Sequence, residues 1–129
     1  MSAPELFNPA AVAAPVGHYS HGAFAKAGSD VLFLAGQVGI KPDGTTPPTL
    51  AEQAEAAFAN VVAVLKAKDM TVANLAKINI YAVSGQPIGE VRAARMKYLG
   101  DHKPASTFIY VPQLADPKYL IEIEGVAVR

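Results

Sequence analysis

The stretch "VLFLAGQVGI", residues 31–40, limits the fold more than any other part of the chain. Val31, Phe33 and Ala35 alternate with Leu32, Leu34 and Gly36. Successive strand residues point to opposite faces, so this strand is apolar on both and needs cover on both. Only two other segments read as long helices. In "TLAEQAEAAFANVVAVLKAKDM", Thr49 serves as N-cap and Glu52 completes a capping box. Leu50, Ala54, Ala57, Phe58, Val61 and Leu65 form its apolar stripe, while Glu52, Glu55, Asn60 and Lys66 are expected to face water. In "GQPIGEVRAARMKYLG", Pro87 opens a helix and Gly100 ends it. Two helices cover one face of a sheet. Hydrophobic residues make up 51% of only 129 positions, so a small domain has apolar side chains to spare. At about 25 cal/mol per Å² of apolar surface, leaving the second face wet is costly. The helix-free face is therefore expected to pack against another subunit.

The remaining strands complete the frame. Residues 18–27 and 31–39 are expected to form a hairpin, and "KPDGTTPPT" a loop. "TVANL" reads as a short helical turn, and "AKINIYAVS", "ASTFIYVPQL" and "YLIEIEGVAVR" as strands, the last two joined by "ADPK". Residues 1–16, with three prolines, read as an extended N-terminal arm. The expectation is a single α+β domain over residues 1–129, in the order ββαβαββ, with helical crossovers on one side of a mixed sheet. In the last strand Glu122 and Glu124 oppose Ile121 and Ile123. That acid face is either wet or borders something that needs a carboxylate.

Composition removes several functions. Eleven basic residues balance eleven acidic ones, which gives no reason to expect nucleic acid or an anionic membrane as partner. Without cysteine there are no disulfides and no thiolate zinc sites. His18, His21 and His102 are too scattered to pair with an acid as metal ligands, so no metal or other cofactor is implied. No apolar run is long enough to span a bilayer, and "MSAPELFNPA" lacks a leader pattern, so a cytoplasmic location is expected.

The segments "APVGHYSHG", "FLAGQVGI", "AEQAEAAFANVVAVLKAKDMTVANLAKINIYA", "KPAST" and "IEIEGVAVR", in this order and spacing, resemble the RidA family, also called YjgF or L-PSP. The resemblance implies a chorismate-mutase-like α+β fold. It also implies a homotrimer whose helix-free faces form an inner barrel, with ligand clefts between neighbouring subunits. The activity it implies is hydrolysis of a reactive enamine or imine, such as 2-aminoacrylate, to a keto acid and ammonia. Carried over by position, the family tyrosine is Tyr19 and the water-positioning glutamate is Glu122. The backbone donor falls at Phe108, a cleft glycine at Gly36, and the helix position at Arg92. Where deaminating members read Pro-Ala-Arg, this chain reads Pro104, Ala105, Ser106. Arginine grips a carboxylate with a charged fork, and serine offers one neutral hydroxyl. Losing such a contact costs about 1.5–3 kcal/mol of binding.

The other polar residues divide accordingly. His21, two positions from Tyr19, points to the same side and is a candidate acid, base or binding group; its alternative is a structural hydrogen bond. His18 and Ser20 point the other way and read as structural, and His102 as solvated. Arg92 is a candidate for the missing cation, against the ordinary reading of a solvated helix arginine. The Ser106 hydroxyl suits a neutral ligand, and Glu124 a basic partner on the next subunit. Tyr110 and Tyr119 read as packing residues. Two functions follow: a small-molecule hydrolase or deaminase of the RidA kind, or a non-catalytic ligand-binding or chaperone-like trimer. The endoribonuclease label of some relatives finds no basic, aromatic-lined stripe here.

Overall fold

The computed structural model describes residues 3–129. Helix α1 spans Leu50–Lys66. Thr49 caps it by accepting the Glu52 N–H and donating to the Glu52 carboxylate. All six residues of its apolar stripe are buried. Helix α2 spans Ile88–Leu99 and stops at Gly100, which takes φ +56°. A 3-10 turn at Val72–Asn74, capped by Thr71, leads into the next strand.

Four strands form the main sheet in the order β3-β6-β4-β5. They are β3 (Val31–Val38), β4 (Leu75–Val83), β5 (Ala105–Val111) and β6 (Ile121–Val128). β6 runs antiparallel to both neighbours, whereas β4 and β5 are parallel and joined through α2. Parallel neighbours need such a crossover. Leu34, Leu75, Ile78, Ile80, Ile121 and Ile123 meet Phe58, Val61, Leu65 and Val91 in one core between sheet and helices. This is an α+β fold with two helices on one face of a mixed sheet. No helix among the described residues is long and apolar enough to cross a membrane.

The expected hairpin of residues 18–27 and 31–39 does not form. Instead β2 (Gly22–Phe24) pairs with β1 (Glu5–Phe7) in the N-terminal arm. Two contacts explain the change. Phe7 lies over Gly22, where any Cβ would stand 2.4 Å from its ring. Ser20 is buried, bonds the backbone of Lys103 and Pro104, and bridges to Ala105. The segment is therefore held at β5, the edge of the sheet opposite β3. β2 through β6 keep the order ββαβαββ, with β1 added in front.

A bulge in β3 sets Ala35 and Gly36 against one residue of β6. Simple alternation puts Gly36 on the helix side. The bulge turns it instead to the side of Glu122. One helix polar residue departs from expectation: Asn60 donates to the carbonyls of Val38 and Ile40. Gln53, beside the apolar stripe, is buried.

The helix-free face carries Val31, Phe33, Ile109, Lys77, Tyr81, Glu122 and Glu124. Phe33 is 77% exposed and Val31 51%, so the chain alone leaves large apolar side chains in water. Lys77 donates to Thr107 at 2.7 Å. Tyr81 donates to Glu124, and that carboxylate pushes the tyrosine pKa above its ordinary value. Glu124 thus finds a partner within its own chain.

Candidate functional site

A cavity of about 650 Å³ lies between residues 16–19, α2 and β5. Each wall has a simple origin. Ser20 pins the 16–19 segment beside β5. On α2, Ile88, Val91, Arg92 and Arg95 recur at helical spacing and share the face turned to the cavity. On β5, Ser106 and Phe108 stand beside Ile78 and Ile80 of β4 and so point to the helix side. The walls are apolar through Val16, Ile80, Ile88, Val91, Met96 and Phe108, and polar through Tyr19, Arg92, Arg95, Ser106 and Thr107. No aspartate or glutamate lines it among the described residues.

Four of the seven sequence candidates come together here: Tyr19, Arg92, Ser106 and Phe108. Phe108 meets Tyr110 edge to face at 5.1 Å. Glu122 and Gly36 do not join them. They sit together on the helix-free face near β3, where a Cβ on Gly36 would stand 1.8 Å from the Glu122 carboxylate. His21 takes the structural alternative. It stacks edge-on against Tyr19 with ring centroids 5.9 Å apart, and its Nε2 lies 2.6 Å from the Ala13 carbonyl. Its ring orders the loop behind the cavity without lining it.

Two other histidines differ from expectation. His18 lines the cavity with the residues around it. His102 is half-buried, with Nε2 2.8 Å from the Leu75 carbonyl. The Tyr110 hydroxyl, on a partly exposed side chain, donates to the Gln86 carbonyl.

The residue that sequence reading missed is Arg95. Its Nη1 donates to the Ser106 hydroxyl at 2.9 Å, and its Nη2 donates to the His18 carbonyl. Burial lowers its pKa from the ordinary value, yet a guanidinium stays charged at any physiological pH. The two ion pairs among the described residues, Lys97–Glu55 and Arg129–Asp30, leave Arg95 without a carboxylate. The signal was present in the sequence, since Arg95 follows Val91 by four and Arg92 by three on a helix. Arg92, the position carried over from the family, lines the same cavity one turn earlier on that stripe.

A family model described as Endoribonuclease L-PSP matches residues 10–129. A RutC family protein of Aquifex aeolicus is 33% identical over 118 residues, covering 89% of this chain and 91% of its own. The 2-iminobutanoate/2-iminopropanoate deaminase of Escherichia coli K12 is 29% identical over 105 residues, covering 78% of this chain and 80% of its own. Among solved structures, the Rid-family protein YyfB of Yersinia pestis, described as of unknown function, superimposes with a TM-score of 0.87. It is 28% identical, over 99% of this chain and 100% of that one.

Proposed function

The chain belongs to the L-PSP family, known also as RidA or YjgF, and on that premise we propose that it hydrolyses a small reactive imine or enamine acid in a cleft between subunits. The observation that carries this reading is the division of the candidate groups. A cavity that bears arginine and tyrosine and, among the described residues, no carboxylate flanks β5 at one edge of the sheet. A carboxylate beside a glycine lies toward β3, the other edge. A head-to-tail contact between copies joins one edge to the other, and such contacts form a ring where the rotation between copies closes. With the helix-free faces turned inward, the ring is the homotrimer typical of the family.

In this assembly the cavity holds the substrate and Glu122 of the adjoining copy holds the water. The imine carbon is already electrophilic, so the site needs only position and one or two proton transfers. Glu122 takes a proton from the attacking water, and Tyr19 manages the proton on the departing nitrogen. Phe108 and Gly36 contribute backbone at the two sides of the cleft, and Arg92 lies at the cavity wall. Ammonia and a 2-oxo acid leave. The escherichial relative named as an iminobutanoate and iminopropanoate deaminase supports that substrate class. One observation favours a second reading, binding without turnover: among the described residues, the cavity of a single chain has no carboxylate of its own.

Light scattering is expected to give a trimer mass, and Phe33→Asp to give a monomer. Phe33 is the most exposed of the aromatic side chains on the helix-free face, and an aspartate there would bury a charge in the interface. A trimeric Phe33→Asp protein would contradict this packing. The activity test is keto-acid release from an imine generated in place by an amino-acid oxidase. Wild type accelerates it. Ser106→Arg, which restores the strand arginine of deaminating relatives, is expected to lower it. The new guanidinium would stand against Arg95 and remove its acceptor. A gain of activity in Ser106→Arg would contradict this expectation.

A further inference from the structure

We propose that Arg95 is the carboxylate anchor of this protein, and that Ser106 acts by holding its guanidinium in place. The inference rests on the functional reading above and names the group that selects its substrate. Three observations support it independently of that reading. Arg95 is a half-buried cation with no acidic partner among the described residues. It opens on a cavity whose other walls are largely apolar. It is fixed by acceptors on two separate segments, Ser106 on β5 and His18 ahead of β2.

A solvated arginine on an exposed helix face sweeps many rotamers. This one is tied at both terminal nitrogens. A guanidinium carries five N–H donors, and the two bonds to Ser106 and His18 leave three for a ligand. A planar, pre-set fork with free donors is the group that best matches a carboxylate. Ser106 accepts from Arg95 through an oxygen lone pair, so its own O–H stays available beside the fork. The ligand that fits is a small acid with a short apolar side chain. Its carboxylate sits on Arg95, and its side chain lies against Ile88, Val91 and Phe108. Arg92 is exposed and has no such tie among the described residues, so it adds general positive potential without setting orientation.

The probes are 2-oxobutanoate, the neutral methyl ester of that acid, and the imine assay. Wild type binds the acid well and the ester weakly. Arg95→Gln is expected to weaken acid binding by about ten- to a hundredfold and to leave ester binding unchanged. Arg95→Lys keeps a cation on the helix but not the fork, and falls between. It also keeps the test open should the glutamine variant fold poorly. Ser106→Ala lowers the preference for acid over ester, and Ser106→Thr, which keeps the hydroxyl, restores it. Lys97→Gln removes a charge from the same helix outside the cavity and changes nothing. Wild type that binds the acid through Arg95 but turns over no imine upholds the anchor and removes the enzymatic reading. Acid binding that survives in both Arg95 variants overturns the anchor while leaving the enzymatic reading intact. Failure of wild type to prefer the acid to its ester overturns the anchor as well.

Discussion

Glu122→Gln is expected to cut keto-acid release by about a hundred- to ten-thousandfold, the range lost when a positioned acid or base is removed. Glutamine keeps the size and one carbonyl acceptor but cannot take a proton from water. Binding of 2-oxobutanoate and the oligomer mass should stay as in wild type. A companion variant sharpens the test. Gly36→Ala places a methyl group where the Glu122 carboxylate now sits, 1.8 Å from one oxygen and 2.7 Å from the carboxyl carbon. The carboxylate is the free end of a flexible side chain, so it swings away at little cost to folding. Gly36→Ala should therefore lose most of the activity of wild type and little of its thermal stability. An active Gly36→Ala enzyme would mean that the present position of Glu122 is not the working one.

The second large effect concerns folding. Gln53 is 1% exposed and bonds three backbone groups at once. Its amide nitrogen donates to the carbonyls of Pro47 and Lys118, at 2.9 and 2.8 Å. Its amide oxygen accepts the Leu120 N–H at 2.8 Å. One side chain thus joins the approach to α1 with the approach to β6. Methionine fills nearly the same volume and satisfies none of these groups. Each buried polar group left unpaired costs about 1–3 kcal/mol, and relaxation recovers part of it. Gln53→Met should lose about 2–5 kcal/mol in urea unfolding at a fixed protein concentration. A loss below about 1 kcal/mol would mean that water or a shifted loop replaces the amide.

Why Gln53 escaped notice in the sequence is instructive. It lies beside the buried stripe of α1, and its neighbours Glu52 and Glu55 are polar, so it reads as part of a wet face. Only the return of the chain at Lys118–Leu120, 65 residues or more away, makes it interior. Asn60, expected to face water, is drawn in by the carbonyls of Val38 and Ile40, 22 and 20 residues before it. Patterns with a short period were legible: the α1 stripe, its Thr49 cap, the Gly100 stop, the apolar faces of β3 and the Ile121–Ile123 face of β6. The β2–β3 hairpin was not, because Ser20 and Gly22 are committed by partners elsewhere in the chain. Tyr19, Arg92, Ser106 and Phe108, taken by position, all line the cavity, and Arg95 was missed although its spacing lay in plain view. The face of Glu122 was legible from its alternation with Ile121 and Ile123, but its distance from the cavity follows from the strand order, and the bulge that brings Gly36 to its side had no local signal.

That strand order bears on how the chain meets the ribosome. β6 lies between β3 and β4, and it is the last of these elements to be synthesised. Until residue 128 clears the exit tunnel, β3 has no strand to pair with, and β4 has β5 alone. The early product is then two helices and a parallel pair with an unpaired, doubly apolar strand beside them. Such an intermediate exposes the surfaces that drive aggregation. A holdase that covers β3 until β6 has emerged should therefore raise the yield of folded protein most.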